Sequence, residues 1–134
     1  MFNAYFTVDD SEFQEWVNIT RNNYRVMLQT MINVAELIES NTQWRVPLDT
    51  QNLEKSFKYV VTEDTSDFIE LEIGYDAVDP KSGFMYAEYQ HETTGLNHPR
   101  RGEAFYLFKG IKSSLGDAFD LIERDYLSMF RGVL

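Results

Sequence analysis

The chain has 134 residues, a net charge of −10 and 43% hydrophobic residues, among them ten Phe, eight Tyr and two Trp. That length suits one domain whose core buries roughly two-thirds of the surface exposed on unfolding, and that composition excludes a disordered chain. The absence of cysteine excludes disulfides, thiolate nucleophiles and cysteine-based zinc sites.

The charge is unevenly placed. Residues 1–99 hold 17 acidic and 6 basic side chains, whereas residues 100–134 hold 5 and 6. An acidic surface repels phosphate, which argues against sequence-specific nucleic-acid binding and allows passing contact with DNA. No basic region precedes an apolar run at the N-terminus, and no run of 18 apolar residues occurs. The expectation is a protein made in the cytoplasm, with no membrane partner.

In chain order, residues 2–8 alternate, with Phe2, Ala4, Phe6 and Val8 on one side and Asn3, Tyr5 and Thr7 on the other, which predicts a strand. Ser11 and Gln14 fit a capping box. A helix over about 11–40 follows, its apolar stripe running through Phe13, Trp16, Val17, Thr20, Tyr24, Met27, Leu28, Met31, Ala35 and Ile38. About 30 helical residues span roughly 45 Å, long enough to overhang a small core. Pro47 ends the connection, and Asp49 or Thr50 caps a short helix carrying Leu53 and Phe57.

Strands are expected at Lys58–Glu63 and Phe68–Tyr75, joined by a turn at Asp64–Asp67. Ile69, Leu71, Ile73 and Tyr75 face one way and Phe68, Glu70 and Glu72 the other, the pattern of a half-wetted antiparallel sheet. Met85–His91 reads as a third strand. A loop over Thr93–Gly102 precedes a final helix, about 103–130, with a stripe of Phe108, Ile111, Leu115, Phe119, Ile122, Tyr126 and Met129. The expected fold is α+β: a single domain over 1–134, with a small antiparallel sheet packed against two long amphipathic helices.

Few residues invite chemistry. His91-Glu92 begins like a zinc-protease signature, but the next histidine, His98, comes after seven residues rather than four, with Gly95 between. The alternative is that His91 is a loop residue that packs on an aromatic or caps a carbonyl. Glu70, Glu72 and Glu88 are carboxylates on the expected sheet, where exposed acids are ordinary. Phosphate-binding, dinucleotide and Gly-x-Ser-x-Gly signatures are absent from the sequence. The expectation is no catalysis, no metal and no cofactor. Arg100-Arg101 is the one adjacent basic pair, a contact for phosphate or an acidic neighbour, or else a solvated loop tip.

The middle of the chain resembles a known family. Val46-Pro47-Leu48-Asp49-Thr50-Gln51-Asn52-Leu53-Glu54-Lys55-Ser56-Phe57 is similar to a segment of the minor capsid and head–tail connector (neck) proteins of tailed bacteriophages. Tyr86-Ala87-Glu88-Tyr89-Gln90-His91-Glu92 and Phe105-Tyr106-Leu107 with the last helix resemble the segments that follow in that family. Pro47, Asp49, Thr50, Leu53, Ser56, Tyr86, Ala87, Glu88, Tyr89 and Phe105 carry the match. Gln51 stands where the family commonly has Gly. The resemblance implies a structural protein of the virion at the head–tail junction. Such a protein forms a ring of its own copies between portal or adaptor and tail proteins, with the genome DNA passing through non-specifically. It further points to Phe2, Phe6, His98, Arg100 and Arg101 as residues facing a neighbouring subunit or DNA. Tail terminator or completion protein, and a small non-viral adaptor module, are the alternatives.

Overall fold

A computed structural model describes residues 2–9, 21–47, 52–63, 68–96 and 101–128. Strand β1 (Phe2–Asp9) leads to helix α1 (Arg21–Thr42) and the short helix α2 (Asn52–Lys55). Strands β2 (Phe57–Glu63) and β3 (Phe68–Tyr75) follow, then helices α3 (Tyr86–Glu92) and α4 (Tyr106–Ser128). The fold is α+β, a three-stranded antiparallel sheet packed against helices, in the order β1-β3-β2.

The register sorts the two sheet faces as alternation requires. Ala4 and Tyr59 flank Ile73, and Phe6 and Val61 flank Leu71, on the inner face. Tyr5 and Val60 flank Glu72 on the outer face, where both apolar side chains are exposed. Asn3 donates a hydrogen bond to Glu72 on that outer face, and Lys58 pairs with Asp76 at the end of β3. Ile69, Leu71, Ile73 and Tyr75 are all buried, so β3 supplies the centre of the sheet and the floor of the core.

Helix α1 lies on that floor and also packs along α4. Met27, Met31, Val34, Ala35 and Ile38 are buried on it, a 3.6-residue stripe that matches the sequence pattern. The N-terminal part of the expected helix, residues 10–20, lies outside the described residues, as do 48–51 with Asp49 and Thr50, 64–67, 97–100 and 129–134.

Helices α1 and α4 run antiparallel, because Thr42 meets Gly110 near one end and Thr30 meets Asp125 near the other. The α4 face that packs is made of Leu107, Gly110, Ser114 and Ala118, all buried. Small residues at four-residue intervals let two backbones approach closely. A Cβ on Gly110 would stand 1.9 Å from Thr42 Oγ1. Polar side chains in the seam are satisfied: Asn41 donates to Ser114 Oγ at 2.9 Å, and Thr30 donates to Asp125 Oδ2 at 2.6 Å.

Three expectations are corrected. Met85–His91 is not a third strand. Helix α3 occupies Tyr86–Glu92, burying Ala87 and His91 one turn apart; β1 is the third strand, and β3 is already paired on both sides. A short apolar run reads equally as strand or helix by periodicity, and here the i, i+4 pairing wins. Phe57 belongs to β2 rather than to the short helix, its ring meeting Tyr75 at 5.3 Å. On α4 the expected stripe holds only in part: Ile111, Ile122 and Tyr126 pack against the core, but Phe108 and Phe119 are exposed, and the small residues Gly110, Ser114 and Ala118 are buried.

Candidate functional site

Two of the three segments that resemble connector proteins meet at one ring, and the third reaches it through Tyr75. Tyr106, fully buried at the start of α4, stands edge-on to Tyr75 at 5.2 Å and to His91 at 4.9 Å. Its hydroxyl donates to Ala87 O at 2.7 Å, which fixes α3 against α4. Phe57 reaches the same stack through Tyr75. Burial pushes the Tyr75 and Tyr106 hydroxyls well above the ordinary phenol range, so both stay protonated donors.

His91 is enclosed with no exposed surface. Phe2 lies 4.5 Å from its ring, Phe108 4.4 Å and Phe105 5.6 Å. Its Nδ1–H donates to Glu92 Oε1 at 2.8 Å, and its Nε2 accepts a long 3.5 Å bond from the Phe108 N–H in the first turn of α4. Those partners assign the neutral tautomer. Burial holds the His91 pKa below the usual imidazole value, against a smaller opposing pull from Glu92. His91 thus packs on rings and caps a backbone group. Phe105 holds φ at +56°, donating its N–H to His91 O at 2.6 Å. A non-glycine residue in the left-handed region costs of order 1 kcal/mol or more, and the His91 carbonyl and ring hold it there.

A second cluster joins the end of α1 to the loop before α4. Glu103 N–H donates to Arg45 O at 2.9 Å, and the Arg45 guanidinium meets Glu103 Oε1 at 2.8 Å. The hydrogen bond from Arg45, reinforced by Lys109, holds the Glu103 carboxyl below the usual range. Pro47 is buried beneath Gly102, where φ is +118° and an added Cβ would stand 2.4 Å from Pro47 Cα. Arg101 pairs with Glu54 on α2 at 2.8 Å and lies 5.5 Å from the exposed Trp44 ring. An open polar cleft of about 740 Å³ sits beside this junction, lined by Asn41, Trp44, Arg45, Glu103 and Asp117 among others.

A third feature is a built loop. Asp79 accepts from the Lys81 N–H at 3.1 Å and the Ser82 hydroxyl at 2.7 Å, which lowers its pKa, and Gly83 takes φ of +72°. The loop closes through the Asp79 N–H to Phe84 O at 2.8 Å. It presents Phe84, stacked 5.4 Å from Tyr89, with Met85 and Val78 also exposed.

These placements revise the sequence-predicted sites. Phe2, Ala4 and Phe6 are half-buried against the chain's own core, on a strand that lies at an edge of the sheet. Arg101 is tied to Glu54 rather than solvated at a loop tip; His98 and Arg100 lie outside the described residues. Pro47, Leu53, Tyr86, Ala87 and Phe105 are core or core-flanking, and the Ser56 hydroxyl caps α2 by donating to Leu53 O at 2.8 Å. Glu88 is exposed on α3, and Glu72 is engaged by Asn3, so Glu70, Glu72 and Glu88 do not share one strand face. Among the described residues no group of three His, Asp or Glu side chains is gathered as a metal site. None of the described helices is long and apolar enough to cross a membrane. Sequence reasoning missed Trp44, Arg45, Glu54 and the Phe84–Tyr89 pair. Only the Asp79-Pro80 and Ser82-Gly83 turn signals hinted at any of these.

No family model matches the chain, and no curated protein or solved structure matches it either.

Proposed function

We propose that the chain is a structural, non-catalytic virion protein of a tailed bacteriophage. It acts as a minor capsid or neck component between the portal and the tail. In this reading it is made in the host cytoplasm and assembles with copies of itself into a ring at the head–tail junction. Portal or adaptor proteins lie on one side and tail proteins on the other. The genome DNA passes through without sequence-specific contact, which an acidic wall permits because it repels phosphate.

One observation carries the reading. Tyr86–Glu92 and Phe105–Leu107, two of the segments that resemble connector proteins, meet at Tyr106, and the third, Val46–Phe57, joins the same aromatic cluster through the contact of Phe57 with Tyr75. Residues that resemble a family because they build its shared core should behave in that way. The ordered Asp79–Phe84 loop, with Phe84 and Tyr89 exposed, then serves as a rigid contact for a neighbouring virion protein. Rigid aromatics lose little entropy on docking.

The test is mass spectrometry of density-purified particles of the phage that encodes the chain. The reading expects the chain in fixed ratio to the portal protein; particles that are infectious and lack it would overturn the reading.

A further inference from the structure

Among the described residues, helix α4 carries an outward face that the fold uses only at Phe108, whose ring also packs on His91. Phe108, Lys112, Gly116, Phe119, Glu123 and Leu127 are all exposed. They recur at steps of four and three, so at about 100° per residue they fall within one strip of the helix surface. Phe119 is 63% exposed, Leu127 54% and Phe108 47%. Three large apolar groups in one strip, on a helix whose other face already packs on α1, form an unpartnered ridge.

Gly116 is the unexplained member. Glycine inside a helix costs about 1 kcal/mol relative to alanine. At Gly110 the contact with Thr42 accounts for that cost, but a Cβ on Gly116 would meet nothing within 4 Å. The described residues give no reason for a missing side chain there. A body approaching from outside would.

The charge on α4 indicates which body. On the strip itself Lys112 lies in the first half and Glu123 in the second, whereas Lys109 is paired with Glu103, and Asp125 with Thr30 and Arg124. Two such helices side by side repel when parallel and attract when antiparallel.

We propose that a second copy of this chain docks on this face, α4 against α4 in antiparallel orientation, about a two-fold axis passing between Asp117 and Ala118. One register satisfies every exposed position of the strip. Phe119 of one copy sits over Gly116 of the other, Lys112 stands beside Glu123, and Phe108 meets Leu127; each pair is equidistant from the axis. A large side chain over a glycine is knob-into-hole packing, and the glycine is required because a Cβ would fill the hole. The interface is self-complementary, so it closes at two copies. It therefore describes the free protein and does not rest on the ring reading above. Six residues from each side make a contact smaller than the roughly 1,200–2,000 Å² of stable complexes, so the dimer is reversible and depends on concentration.

Sedimentation over a hundredfold range of concentration tests this. The native chain should pass from monomer to dimer, and Phe119→Glu should remain monomeric with an unchanged circular dichroism spectrum. Lys112→Glu or Glu123→Lys alone should weaken dimerisation about tenfold, and the double reversal should restore it. The chain has no cysteine, so Lys112→Cys combined with Glu123→Cys gives a clean cross-link. The double variant should form a disulfide-linked dimer on oxidation, and neither single variant should. A native chain that stays monomeric overturns the proposal, as does a dimer in which the double-cysteine variant fails to link. Loss of folding in Phe119→Glu would mean that the chain itself covers the strip; the charge-reversal set, which leaves the apolar groups in place, decides independently. Capture of a different protein by this face, with no dimer, would also overturn it.

Discussion

Gly110→Ala places one methyl group in the seam between α1 and α4. The new Cβ would stand 1.9 Å from Thr42 Oγ1, 2.8 Å from Thr42 Cβ and 3.1 Å from Thr42 Cα, roughly 1.5 Å short of ordinary contact at the nearest atom. Rotating Thr42 offers little relief. Its hydroxyl donates to Ile38 O at 2.6 Å, and the Thr42 backbone would remain too close. The helices must part, and overpacking of this kind costs about 1–3 kcal/mol. Alanine's helix preference returns about 1 kcal/mol of that. The net loss is then up to about 2 kcal/mol, or up to about 8 °C in Tm for a chain of this size. Gly116→Ala is the matched control: same helix, same substitution, and open space around the new methyl. Made in the monomeric Phe119→Glu chain, where no second copy interferes, it should stabilise by up to about 1 kcal/mol. Urea unfolding of both variants in that background checks the pair. Gly110→Ala as stabilising as Gly116→Ala would refute the close seam.

Four further outcomes are expected. His91 is held neutral by burial, so as pH falls the unfolded chain takes up the proton first; stability is full above about pH 6.5 and declines below it, by at most about 1.4 kcal/mol per pH unit. Urea titrations between about pH 5 and 7 should show that His91→Phe loses this decline; an unchanged slope would mean that another group causes it. Tyr106→Phe leaves the Ala87 carbonyl without its donor and should cost about 1–2 kcal/mol by chemical denaturation. Arg101→Glu should cost about 1 kcal/mol, with much of it regained by adding Glu54→Arg, as a double-mutant cycle would read out. Gly102→Ala, facing Pro47 Cα at 2.4 Å with φ at +118°, should be worse than Gly110→Ala, since the two nearest of its three contacts are backbone.

Much of the fold was legible where one pattern admits one answer. The alternation in residues 2–8 and 68–75 places Ile69, Leu71, Ile73 and Tyr75 inward, and they are the buried floor. The stripe from Met27 to Ile38 is the buried side of α1. Around Met85–His91 two patterns compete: Met85, Ala87 and Tyr89 alternating with Tyr86, Glu88 and Gln90 suit a strand, and Ala87 with His91 suits a helix turn. Only tertiary contact, Tyr106 on Ala87 and Phe108 on His91, decides. On α4 the hydrophobic scale pointed to Phe108 and Phe119, but the partner helix selects for small side chains, which no hydrophobicity pattern weights. The junction of Arg45, Pro47, Arg101, Gly102 and Glu103 was illegible because its halves lie more than fifty residues apart in sequence. Arg101 read as a loop cation, since nothing local reveals Glu54 as its partner. Phe2 and Phe6 read as interface residues, and nothing local reveals that Phe2 also packs on His91 or that Phe6 lies half-buried against the core.

The central claim is a place at the head–tail junction of a virion, and a cryo-electron microscopy map of that junction tests it most directly. The account predicts density for a ring whose repeating unit fits β1-β3-β2 with α1 and α4, the Asp79–Phe84 loop lying against a neighbouring protein. A fully assigned portal-to-tail map with no density for this chain would contradict it.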